Sequence, residues 1–175
     1  MKLILGLGNP GAEYTRTRHN IGRRLIEAIA AKEKISFASK RPLKVALAPA
    51  VWSGETVYLA YPLTYMNVSG GPAKALFTHL GIPTLKDILI VVDDIALPFG
   101  KFRLRGEGSS GGHNGLASIE ENFGSCDYPR LRIGIGPREG QVRSQSSEAD
   151  DWLRDYVLST FDTGEEKEMG PLLEK

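Results

Sequence analysis

The sequence predicts an α/β fold, a single three-layer αβα domain over residues 1–175 with a twisted, mostly parallel mixed central sheet. Short apolar runs alternate with longer amphipathic segments along the chain, the pattern of strands crossed over by helices. With 175 residues, 41% of them hydrophobic and 25% charged, the chain can bury a core without disulfides or metals. No internal repeat or low-complexity segment divides it.

Lys2–Leu7 is the first apolar run and the first expected strand. Ile21, Leu25, Ile26 and Ile29 then recur at helical spacing, with Asn20 where an N-cap belongs, which predicts a helix over Ile21–Lys34. Lys44–Pro49 and Thr56–Tyr61 read as strands. Val68–Leu80 reads as a helix closed by Gly81 and the breaker Pro83. The run Ile88–Asp93 is a strand ending in a carboxylate. Lys101–Arg105 alternates, with Phe102 and Leu104 expected inward and Lys101, Arg103 and Arg105 outward. Residues 106–112, GEGSSGG, are too few for an interdomain linker and read as a mobile loop. Asn114–Asn122 is an expected helix and Arg130–Gly136 a strand. Helices over Ser147–Ser159 and near Glu165–Glu174 complete the order.

No apolar run is long enough to span a bilayer, so no membrane partner is expected. The opening residues lack the apolar length of a signal peptide, which points to a cytoplasmic protein. Cys126 is the only cysteine, leaving no intramolecular disulfide and no thiolate cluster for a metal. The net charge of +1 hides an asymmetry: residues 1–147 carry 19 Lys and Arg against 12 Asp and Glu, and residues 148–175 carry 3 against 9. A basic body with an acidic final segment suits a polyanionic partner, although a mixed solvated surface has the same composition.

Gly6, Gly8 and Gly11 match the dinucleotide fingerprint G-x-G-x-x-G directly after a strand. Pro10 interrupts it, however, and no helix can start before residue 20 to present its N–H groups to a pyrophosphate. No acidic residue ends a second strand where a ribose partner belongs, so the match reads as coincidental.

What stands out instead is a set of residues at carboxyl strand ends and loop-to-helix junctions. Asn9 follows the first strand, and Asp93 ends another. His19 immediately precedes the first helix. A carboxylate that accepts from His Nδ1–H fixes the tautomer and leaves Nε2 as a base. Asp94 falls on the opposite face if the strand persists. Asn67 and Asn114 stand at further junctions, where they serve either as caps or as amides that match a peptide backbone. No G-x-S-x-G elbow is present and no cysteine is paired with a histidine, so a His–Asp base here points to attack by water. Arg103, Arg105, Arg130, Arg132 and Arg138 cluster near the glycine loop and suit phosphate groups, or equally an edge strand protected against aggregation.

GLGNPGAEYTRTRHNIG, PLTYMNVSG, VVDDIALPFGKFRLR, GSSGGHNGL and YPRLRIGIG, in this order between residues 3 and 137, closely resemble the signatures of bacterial-type peptidyl-tRNA hydrolase. The resemblance implies a monomeric α/β enzyme without metal or organic cofactor that hydrolyses the ester between a peptide and the 3′ ribose of tRNA. It implies His19 as general base, Asp93 as its orienting carboxylate and Asn9 as the group polarising the scissile carbonyl. It also implies that Asn67, Asn114 and Met66 form a peptide groove. Tyr14 and His113 would stand at its ester end, with Arg103, Arg105 and Arg132 on tRNA. The family continues into a longer C-terminal helix, whereas here Gly170-Pro171 is expected to interrupt helix formation. The competing reading is a non-catalytic RNA-binding relative of the splicing-factor type on the same fold.

Overall fold

The computed structural model describes residues 1–136 and 149–173. One seven-stranded sheet runs through it in the order β2-β3-β4-β1-β5-β7-β6. The strands are β1 (Lys2–Gly6), β2 (Ala38–Lys40), β3 (Val45–Trp52), β4 (Glu55–Pro62), β5 (Ile88–Pro98), β6 (Phe102–Arg105) and β7 (Arg130–Gly136). The four central strands, β4, β1, β5 and β7, are mutually parallel, and antiparallel strands extend the sheet at both edges. The helices are α1 (Ile21–Lys32), α2 (Gly70–Leu80), α3 (Asn114–Phe123), α4 (Ala149–Leu158) and α5 (Thr163–Leu173).

The period-two alternation of the strands builds the three layers. On one face Leu3, Leu5, Ile88, Ile90 and Val92 pack with Ala73 and Leu76 of α2 and with Leu116 and Ile119 of α3. On the other, Val57, Leu59, Val91 and Ile133 pack with Ile21, Leu25 and Ile26 of α1 and with Met169 and Leu173 of α5. The same alternation carries Asp93 to the α1 face after Val91. Asp94 lies on the opposite face, where it meets Arg132 at 3.4 Å.

Several expectations change. β2 was not legible: its three residues are all exposed, so burial imposes no pattern on them. β3 and β4 form a longer hairpin than the apolar runs predict, closed by Ser53 and Gly54 at φ 51° and 79°, the positive values a two-residue turn of this type requires. β5 runs to Pro98, but its register with β7 shifts after Asp94. This irregularity falls directly beyond the two carboxylates. Phe102 and Leu104 are not inward: they are 43% and 67% exposed. Their cross-strand partners Ile133 and Leu131 face the α1–α5 layer, but β6 lies at the sheet margin. The 106–112 loop is not free. The buried Arg130 guanidinium must find acceptors and donates to the carbonyls of Gly108 and Ser109, and half-buried Arg132 donates to those of Ser109 and Ser110.

Pro171 lies inside α5 and does not break it. Buried Met169 and Leu173, on either side of it, hold that turn against the core. α1 ends at Lys32 rather than Lys34, whose φ is 56°. The predicted start of α4 at Ser147 and the residue Arg138 lie outside the described residues. The acidic final segment meets the basic body within the chain, through Arg18–Glu165 and Arg24–Glu166.

Candidate active site

Close backbone approach brings the start of α1 to the carboxyl edge of the sheet. A Cβ on Gly22 would lie 2.2 Å from the Val91 carbonyl oxygen, and one on Gly6 would lie 2.4 Å from the Gly22 oxygen. Only glycine at both positions permits this contact. Gly6 therefore serves helix–strand packing and not a pyrophosphate.

Above that contact, Asn20 is fully buried and does not cap α1 with its side chain. It clamps the backbone of Asn9 instead: its Oδ1 accepts from Asn9 N–H at 2.8 Å and its Nδ2 donates to Asn9 C=O at 2.9 Å. Asn9 in turn uses its Oδ1 to accept from Met66 N–H at 2.8 Å. That contact fixes the amide's orientation and leaves Nδ2 without a hydrogen-bond partner among the described residues. An oriented N–H₂ group in a cleft is the donor an oxyanion requires.

His19 and Asp93 do meet. Asp93 is 3% exposed, and its Oδ1 accepts from His19 Nδ1 at 2.8 Å. The same oxygen accepts from His113 Nε2 at 3.0 Å. His113 is itself the N-cap of α3, with Nδ1 accepting from Gly115 N–H at 3.1 Å and Leu116 N–H at 3.2 Å. Because Nδ1 accepts two backbone donors, the ring proton of His113 sits on Nε2, facing Asp93. His19 carries its proton on Nδ1 by the same reasoning. Its Nε2 then presents a lone pair with no partner among the described residues.

Burial of the His19 ring disfavours its protonated form, but the charge and hydrogen bond of Asp93 outweigh this and hold its pKa above the ordinary histidine value. Burial pushes the Asp93 carboxyl up. The two imidazoles more than reverse that, so it stays ionised well below the usual carboxylate range. Donor atoms of His19, Asp93 and His113 lie within 4.8 Å of one another, the spacing of a metal-ligand set. The donor chemistry speaks against one: His113 Nε2 carries the ring proton, and His19 Nδ1 points at the same carboxylate oxygen. The trio fits a hydrogen-bond relay.

These groups line a cleft of about 740 Å³ together with Met66, Asn67, Asn114 and Arg132. Asn67 and Asn114 are exposed and neither is an N-cap, since Ser69 and His113 occupy those positions. Tyr14 does not line the cleft; its ring meets that of Tyr65 edge-on at 6.3 Å, and Tyr65 does line it. The far wall is α4, through Leu153, Arg154, Val157 and Leu158. Sequence reasoning missed these and Asn20. A buried amide that binds backbone reads as a cap in sequence, and the helix pattern of α4 does not say which face meets a ligand.

Arg132 is largely consumed by the loop carbonyls and Asp94. Arg103 lies directly across from it, and Arg105 directly across from the fully buried Arg130. Like charges in opposed cross-strand positions repel unless an anion joins them. Neither Arg103 nor Arg105 has an ion pair among the described residues.

A buried His–Asp pair sits beside a free amide donor. The described residues lining their cleft include no Ser, Thr or Cys. These features define the class, a hydrolytic enzyme on a three-layer α/β domain. The sequence profile of the peptidyl-tRNA hydrolase family matches residues 3–175, and the chain belongs to that family. The peptidyl-tRNA hydrolase of Chloroflexus aggregans is 45% identical over 166 residues, covering 95% of this chain and 83% of the relative. That of Chloroflexus aurantiacus is 42% identical over 173 residues, covering 99% and 87%. The crystal structure of the Acinetobacter baumannii peptidyl-tRNA hydrolase superposes with a TM-score of 0.86 at 32% identity, over 99% of this chain and 83% of that one.

Proposed function

We propose that the chain, as a single monomeric domain acting in the cytoplasm, hydrolyses the ester between a peptide and the 3′ ribose of tRNA by direct attack of water. His19 Nε2 takes a proton from water as the oxygen bonds to the ester carbonyl carbon. Asn9 Nδ2 donates to the oxyanion that forms. The carbon–oxygen bond to the ribose then breaks, and the proton on His19 returns to the leaving 3′ oxygen. Asp93 keeps His19 in the required tautomer, and His113 keeps Asp93 in place. Asn67 and Asn114, neutral and exposed at the cleft, match peptide amides. Arg103 and Arg105 match tRNA phosphates, with Arg132 at the boundary between the two.

The observation that carries this reading is the unpartnered Asn9 Nδ2 in the same cleft as the unpartnered Nε2 of His19. A non-catalytic RNA binder has no use for either, so that alternative is not favoured. The test is incubation with an N-blocked aminoacyl-tRNA and, separately, with free aminoacyl-tRNA, using the parent protein and His19→Ala. Release of the blocked amino acid alone, lost in the variant, is the expected outcome. Tight salt-sensitive tRNA binding without release would favour the RNA-binding alternative.

A further inference from the structure

The short turn that carries His19 is fastened to the opposite end of the chain. Arg18 N–H donates to the Ser159 carbonyl at 2.9 Å, and Thr17 forms an isolated antiparallel bridge with Thr160. The Arg18 side chain is 9% exposed and follows the same route: Nη2 donates to Glu165 at 2.8 Å and Nε to Ser159 Oγ at 3.3 Å. Its guanidinium lies 4.6 Å from the ring centre of Tyr156 and 4.8 Å from that of Phe161. Glu165 closes a reciprocal capping box with Asp162, accepting its N–H at 2.9 Å and donating its own N–H to Asp162 Oδ1 at 2.8 Å. Tyr156 is fixed in turn, its hydroxyl donating to the Ile135 carbonyl at 2.6 Å.

The contacts of Thr17 and Arg18 fall on Ser159–Asp162, the junction between α4 and α5, and on the turns of α4 and α5 beside it. α4 is the cleft wall facing the catalytic groups. A buried guanidinium between two aromatic rings, held by a carboxylate that is itself locked, is a rigid joint. We infer that Arg18 is a positioning residue: with Glu165 it ties the His19 turn to the α4–α5 junction, so that base and cleft wall keep one fixed geometry. This rests on His19 being the base. Asp93 holds the ring of His19 from the sheet, while Arg18 holds its backbone from the helical layer.

Arg18→Lys keeps the charge but loses the planar fork, and Glu165→Gln keeps an acceptor for the capping box but loses the charge. Each is expected to lower kcat by roughly ten- to a hundredfold, the scale of a small misplacement of a catalytic group. KM should change much less. The acid limb of kcat against pH should move to lower pH as the His19–Asp93 contact loosens. Arg24→Met is the control: it removes the neighbouring α1–α5 pair with Glu166 and a looser contact with Phe161 at 5.6 Å, and leaves the bonds of Arg18 to Glu165 and Ser159 in place. It should lower the melting temperature and leave kcat and its pH profile unchanged. If Arg18→Lys and Glu165→Gln also lower only the melting temperature, the positioning role is wrong. Full activity of His19→Ala, run alongside, would instead overturn the base assignment on which it rests.

Discussion

The Asn9–Asn20–Met66 wall of the cleft and the edge strand bearing Arg103 and Arg105 treat their polar groups in opposite ways. In the wall, nearly every donor and acceptor is matched inside the protein, and a single amide group of Asn9 is left over. On the edge strand the charges are exposed, opposed to like charges and unpaired among the described residues. A wall so fixed suits the small charge that the proposed reaction develops, where a misplaced donor costs rate. On the proposed function, the unsatisfied edge awaits a large polyanion, whose own phosphates would complete it. On that proposal, one region serves turnover and the other attachment.

The contrast breaks first at His19. His19→Ala should lower kcat by about 10²–10⁴-fold, the usual worth of general-base assistance, while tRNA affinity and its salt dependence remain unchanged. Single-turnover hydrolysis and filter binding on the same preparation check both halves. Asn9→Asp puts an anion where the oxyanion donor stood and should cost about 10²–10³-fold in kcat, again with binding intact.

Asp93→Asn should have a smaller effect on plateau rate but a distinctive one on pH. The base works unprotonated, so activity rises with pH through the His19 pKa. Asp93 holds that pKa above the ordinary value of about 6.5. Losing Asp93 leaves burial as the main influence, and the acid limb should shift to lower pH. A limb that stays in place would separate His19 from Asp93 functionally.

On the other side of the contrast, Arg103→Ala and Arg105→Ala should leave kcat alone and weaken tRNA binding. Each should reduce the slope of log affinity against log salt by about 1. The least disruptive change is Leu104→Ser on the same strand. At 67% exposure it should shift stability by no more than about 0.5 kcal/mol, measured by denaturant titration.

Much of this arrangement is legible in the sequence. β1, β5, β7 and α1–α3 announced themselves because burial on two faces or one imposes a period on their residues. The edge elements did not: β2 is exposed throughout, and β6 keeps its alternation without burying either face. His19 and Asp93 could be paired in advance because both stand at the carboxyl edge of a parallel sheet. The clamp of Asn20 on Asn9 could not, since an amide before a helix looks the same whether it caps that helix or grips a loop.

The sequence by itself determined the layered α/β class, the strands of the core, the absence of a nucleophile motif and the family, because local periodicity and short motifs are properties of neighbouring residues. Only the tertiary structure decided that His113 shares Asp93 with His19, that Asn9 keeps one free donor, and that Arg18 pairs with Glu165 of α5. Those contacts join residues 11 to 147 positions apart. Their bond directions depend on how buried polar groups compete for partners once the layers close, and no local pattern encodes that competition.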